Sequence, residues 1–138
     1  MQKFIKSFYG LNNERIIIAE FPKYDAHDLL KKCSLLITDY SSVAMDFAYL
    51  NKPVIYYQFD YKKFRKNHLE EGYFSYVHDG FGEVIKNQTQ LINLIENYIF
   101  SNYKLKENYQ NRINDFFDLR DSNNCERTYN AILELIED

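Results

Sequence analysis

Three short apolar runs constrain this chain more than any other feature. Arg15 to Glu20 (RIIIAE), Ser34 to Thr38 (SLLIT) and Pro53 to Gln58 (PVIYYQ) are of strand length and continuously apolar rather than alternating. A strand with one wet face alternates in polarity, so a continuous run predicts a strand covered on both faces, as in a parallel sheet. Helical spacing fills the gaps between them. Asp25 stands as an N-cap for a helix reaching Lys32, with Asp28 in its first turn. Ser41 to Leu50 places Val43 with Phe47, and Ala44 with Ala48, on one helix face. Lys52-Pro53 then ends that helix and opens the next strand. Strand, helix, strand, helix, strand in so short a stretch means right-handed βαβ units. The expected fold class is α/β, a Rossmann-like parallel sheet flanked by helices.

The second half has a looser pattern. Tyr61 to Glu71 is polar and predicts a short helix with a connection. Gly72 to Gly82 (GYFSYVHDGFG) combines three glycines with four aromatics and predicts an ordered loop, with Glu83 to Lys86 as a short strand. From Thr89 the pattern is helical, with Leu91, Leu94, Ile95 and Tyr98 as one stripe. Further helices are expected over Leu105 to Phe117 and from about Ser122 to the end, the last with Tyr129, Ile132, Leu133 and Ile136 as its apolar face. A chain of 138 residues is expected to form one domain, 1–138, with the C-terminal helices over about 89–138.

Composition excludes several classes of function. A net charge of −3 offers no electrostatic footprint for nucleic acid. No apolar run approaches the ~20 residues of a membrane span. The opening MQKFIKSFYG lacks the apolar centre of a secretory leader, so a cytoplasmic location is expected. Cys33 and Cys125 make neither a disulfide framework nor a metal-ligand spacing, so no metal and no cofactor are expected. Aromatic residues reach 17% through Tyr and Phe alone, and rings of that kind suit sugar or nucleobase pockets as well as cores.

In an open parallel sheet, ligands bind where strand carboxyl ends lead into helices. Thr38-Asp39-Tyr40-Ser41-Ser42 occupies such a position, and there two hydroxyls meet the first N–H groups of a helix, a combination suited to phosphate. The competing role for Ser41 or Ser42 is simple helix capping, and for Asp39 it is fixing the loop by accepting backbone hydrogen bonds. Glu20-Phe21-Pro22-Lys23-Tyr24 and Phe59-Asp60-Tyr61 follow the other two runs, each an acid beside rings, with a surface turn and a helix cap as the alternatives. His27, His68 and His78 are the only histidines. His78-Asp79 resembles an acid–base pair, but adjacent side chains seldom face each other, and a structural role is favoured. The chain has no Walker loop, G-x-G-x-x-G, G-x-S-x-G or H-E-x-x-H.

The run from Asp28 through Cys33-Ser34-Leu35-Leu36-Ile37-Thr38-Asp39-Tyr40-Ser41-Ser42-Val43, followed by Asp46-Phe47-Ala48 and Asn51-Lys52-Pro53-Val54-Ile55, resembles the CDP-glycerol glycerophosphotransferase family. Those enzymes build teichoic-acid and capsule-type polymers of the cell envelope. Phe59-Asp60, Gly72-Tyr73-Phe74, Gly80-Phe81-Gly82 and Asp121-Ser122 with Glu126-Arg127 are similar to the family's weaker downstream blocks. The resemblance implies the C-terminal half of a GT-B fold, binding the CDP moiety of CDP-glycerol or a related CDP-linked donor. Carried over by position, Ser41 and Ser42 contact the diphosphate while Thr38 and Asp39 shape the turn. The resemblance also implies that the region of Glu20 to Lys23 lies near cytosine and ribose, and that Arg127 either approaches the phosphates or ties down the last helix.

The family's catalytic histidines, one of them in a K-x-H-P-like segment, have no match in this sequence. The resemblance therefore implies substrate-binding residues but no catalytic ones, and a chain inactive alone. It also implies a missing N-terminal acceptor-binding domain, and a lipid-linked polymer acceptor reached at the cytoplasmic membrane face by the full enzyme. Two other classes compete: a stand-alone nucleotide-binding or regulatory module, and a domain of a CMP- or UDP-sugar glycosyltransferase. A receiver-type signalling domain would need an acidic pair after its first strand and a Lys-Pro after its last, whereas Lys52-Pro53 precedes a strand.

Overall fold

The computed structural model of the protein describes residues 15–19, 22–67 and 72–137. They fall into two compact units divided between Lys32 and Cys33. In the first, helix α1 spans Ala26–Lys32. Its start is the expected one, since the Asp25 carboxylate accepts the Asp28 N–H at 3.1 Å. Asp28 in the first turn and Lys31 and Lys32 in the last complement the helix dipole.

Arg15–Ala19 departs from the expectation and forms no strand. Ile16 and Ile17 are exposed. Apolarity favours burial of a run, but a strand also needs a neighbour that takes up its N–H and C=O groups, and composition does not specify that neighbour. Glu20, Phe21 and His68 lie outside the described residues.

The second unit carries the sheet. Strands β1 (Leu36–Thr38), β2 (Val54–Tyr57) and β3 (Gly82–Ile85) lie in the order β1-β2-β3. All are parallel, with Leu36 opposite Val54 and Val54 opposite Gly82. Helix α2 (Val43–Tyr49) joins β1 to β2, and α3 (Tyr61–Asn67) follows β2. After β3 come α4 (Gln88–Phe100), α5 (Glu107–Phe116) and α6 (Asn124–Glu137). This is the expected Rossmann-like α/β arrangement, built from the second and third apolar runs and the short strand expected at Glu83 to Lys86.

Val54, Ile55 and Tyr56 are consecutive and all buried, so β2 is covered on both faces. Ile55 packs with Leu94 and Tyr98 of the α4 stripe. A second cluster joins Ala48 of α2, Phe81 and Ile113 of α5, with Phe74 and Phe117 around it. Asn51 ends α2 in the left-handed region at φ 55°, a conformation Asn tolerates better than most residues. Its side-chain oxygen accepts from Gln110 and Arg120, each at 2.9 Å. Arg120 also donates to the Tyr49 carbonyl, placing a cation at the negative end of α2. Asn87 caps α4, its side-chain oxygen accepting from Thr89 and Gln90.

The apolar stripe of α6 forms at the expected spacing, yet Tyr129, Ile132, Leu133 and Ile136 are all exposed, Ile136 at 73%. No helix among the described residues is long and apolar enough to cross a membrane.

Candidate functional site

At the carboxyl end of β1 the chain turns through Asp39-Tyr40-Ser41-Ser42 into α2. Contacts from both sides hold that turn. From below, the buried Gln58 amide at the end of β2 donates to the Asp39 carbonyl at 3.3 Å. From the side, the Tyr76 hydroxyl donates to the Tyr40 carbonyl at 3.0 Å. The Tyr40 ring stacks on Phe64 of α3, with centroids 3.6 Å apart and planes 6° from parallel. Its hydroxyl donates to Asp60 Oδ1 at 3.1 Å. Burial, followed by the Asp60 hydrogen bond, pushes the Tyr40 phenol up to about 12, so it is a neutral donor at physiological pH.

Beside this turn lies a cavity of about 270 Å³. Ser41, Ser42, Ala44 and Met45 form its α2 side, and Tyr40, Tyr56, Phe74 and Tyr76 give it aromatic walls. Tyr76 meets Tyr56 and Phe74 edge to face, at 5.1 and 5.8 Å between centroids. Gly72, the exposed Tyr73 and Arg65 of α3 complete the lining. The two serines line this cavity and cap α2 weakly or not at all. Ser42 makes no side-chain capping bond, and Ser41 Oγ accepts the Val43 N–H only at a long 3.4 Å. Both side chains lie on the exposed rim.

The other expected residues lie around this point rather than in it. Thr38 ends β1 beneath the turn and is not a lining residue. Asp39 Oδ1 accepts the Tyr40 N–H at 2.6 Å, the loop-fixing role. Arg127 pairs with Asp121 at 2.8 and 3.1 Å and does not line the cavity. That ion pair ties down the start of α6. Asp60 serves Tyr40 from its side chain, and its carbonyl accepts from Lys63 and Phe64 at the start of α3. His78 is not paired with Asp79: the Asp79 carboxylate accepts the Ser75 N–H at 2.8 Å, and the segment is a turn.

Sequence reasoning missed Arg65, Tyr73, Phe74 and Tyr76. The density of rings in GYFSYVHDGFG was the available signal, but periodicity does not reveal which way a loop folds back. A wider, open hollow of about 790 Å³ is lined by the second half of α4, the segment that follows it and the start of α5, and includes no strand-end residue. Among the described residues no group of acids, histidines and cysteines is arranged to hold a metal ion.

Comparison with known proteins adds chemistry to this geometry. Residues 2–134 match the family model described as CDP-glycerol:poly(glycerophosphate) glycerophosphotransferase. The chain is 41% identical over 118 residues to the minor teichoic acid biosynthesis protein GgaB of Bacillus subtilis, covering 84% of this chain and 13% of that protein. It is 34% identical over 120 residues to a teichoic acid glycerol-phosphate primase of the same organism, covering 86% and 29%. To a teichoic acid poly(ribitol-phosphate) polymerase of Bacillus spizizenii it is 33% identical over 112 residues, covering 79% and 17%. The chain thus spans less than a third of the length of each of these relatives. No solved structure matches it.

Proposed function

The chain belongs to the CDP-glycerol:poly(glycerophosphate) glycerophosphotransferase family, and from that premise we propose that its cavity receives the diphosphate of CDP-glycerol or a closely related CDP-linked donor. The observation that carries this is the state of the serine pair. Two adjacent hydroxyls, one making no capping bond and the other only a long one, line a single cavity at the carboxyl end of a parallel sheet. Ligands of open α/β sheets bind at that end. Since α2 has only seven residues, the hydroxyls and the cavity, rather than a long helix dipole, carry the proposal.

The aromatic walls limit water at the donor, and the neutral Tyr40 holds the turn without adding negative charge. A transfer of glycerol phosphate also requires a base for the acceptor hydroxyl. The described residues lining the cavity include no histidine, aspartate or glutamate. In this proposal the chain supplies donor binding, and the acceptor polymer and its base are met by other parts of a longer enzyme, comparable in length to the relatives.

Calorimetric titration with CDP-glycerol, CDP, CMP and UDP tests it. The cytidine diphosphates should bind in preference to UDP. Ser41→Ala/Ser42→Ala should weaken CDP by roughly tenfold or more, because hydrogen bonds to a charged group contribute about 1.5–3 kcal/mol. An equal response to all four ligands, or an unchanged affinity in the double variant, would refute it.

A further inference from the structure

We propose that Arg65 is the residue that makes this cavity selective for a diphosphate over an uncharged nucleoside, its guanidinium donating to the phosphate oxygens beside Ser41 and Ser42. The inference rests on the donor-binding role proposed above and adds the charge that role needs. Arg65 is the one cationic side chain among the described residues lining the cavity. Its neighbours on α3, Lys62, Lys63 and Lys66, are exposed and do not line it.

The placement follows from packing. Phe64 stacks on Tyr40, which fixes α3 against the turn that carries the two serines. The next residue along α3 is thereby brought to the same cavity as Ser41 and Ser42. The Tyr61 ring lies 5.4 Å from the guanidinium carbon, bracing the side chain from the preceding turn of α3. At the Tyr40 and Tyr76 hydroxyls the Arg65 charge opposes the upward push of burial, which puts it within electrostatic reach of both.

The sign of the local charge favours a cation at this point. Asp39 lies in the turn itself, and Asp60 is hydrogen-bonded to Tyr40. The chain as a whole carries −3. Serine hydroxyls orient an anion but neutralise none of it, so without Arg65 a diphosphate would meet only neutral walls among the described residues, with the Asp39 and Asp60 carboxylates nearby. A planar guanidinium also engages two phosphate oxygens with a fixed pair of parallel N–H donors, a fork that an ammonium lacks.

The test is calorimetric titration of the wild-type chain, Arg65→Gln and Arg65→Lys with CDP and with cytidine, each variant first checked for native circular dichroism. Arg65→Gln should weaken CDP by about tenfold or more and leave cytidine within about twofold. Arg65→Lys should recover part of the loss, because it restores charge without the fork. An unchanged CDP affinity in Arg65→Gln would overturn the assignment while leaving the serine-based site standing. Equal losses for CDP and cytidine would also overturn it, by showing that Arg65 only shapes the cavity. A wild-type chain indifferent to CDP would remove the donor site and this role together.

Discussion

Gly82 offers a severe test of the sheet. It opens β3 directly opposite Val54. A Cβ at that position would stand 1.7 Å from the Val54 carbonyl oxygen and 2.6 Å from its carbon. A carbon–oxygen contact settles at about 3.3 Å or more, so Gly82→Ala must widen the gap by roughly 1.6 Å. The obstacle is backbone, which cannot swing aside as a long side chain does. Separating the strands there forfeits ladder hydrogen bonds worth about 0.5–1.5 kcal/mol each, and leaving a buried partner unsatisfied costs about 1–3 kcal/mol more. The expected loss is about 3 kcal/mol or greater, which for a unit of this size means a Tm lower by roughly 12 °C or more. Gly72→Ala is the matched control. An added Cβ there meets nothing within 4 Å, so its effect should stay within about 0.5 kcal/mol, or be slightly stabilising through the unfolded chain. Urea denaturation followed by circular dichroism measures both. If Gly82→Ala unfolds within about 1 kcal/mol of the wild type, the close approach of β2 and β3 is wrong.

Two further outcomes are expected. The Arg127 guanidinium, with the Asn123 N–H, holds the Asp121 carboxyl down from the usual 3.8 to about 2. Because folding lowers this pKa, the pair's stabilisation is present above about pH 4 and disappears as pH falls through about 2. The stabilities of the wild type and Asp121→Asn should therefore converge as the pH is lowered, and high salt should shrink their difference at neutral pH. A difference persisting in full at pH 2 would mean that the carboxylate is not its source. At the α4 face of the sheet, the Tyr98 hydroxyl donates to Glu83 Oε2 at 2.9 Å, and Lys106 pairs with the other carboxylate oxygen. Tyr98→Phe should cost about 1–2 kcal/mol, and a double-mutant cycle with Glu83→Gln should show coupling. Strict additivity would show that the hydrogen bond contributes nothing.

Much of the fold was legible because local pattern and tertiary placement agree. The runs at Leu36 and Val54 became paired strands, and the α4 stripe buried Leu94 and Tyr98 as its spacing requires. The run at Arg15 shows the limit, since strand formation depends on a partner that the run does not encode. The α6 stripe shows another limit. Periodicity finds an apolar face correctly without saying that anything covers it, and in α6 those residues are exposed. For the site, the strand-end rule led to Ser41 and Ser42, but the residues that close the cavity come from α3 and from the loop ahead of β3. Their approach to Ser41 depends on contacts such as Tyr76 to the Tyr40 carbonyl, between positions far apart in sequence. No periodic signal records such a contact.

The strand order β1-β2-β3 repeats the order of the chain, and this has a kinetic consequence. Among the described strands, none must be inserted between two already paired. A chain emerging N-terminus first exposes the β1–α2–β2 crossover before β3. The segment that bridges from β2 to β3 carries Arg65, Tyr73, Phe74 and Tyr76, and so seating the third strand and closing the cavity are one event. Partly folded forms lacking β3 have the serine turn without the closed cavity. In the donor-binding role proposed above, a ligand would stabilise the completed unit and not a form lacking β3.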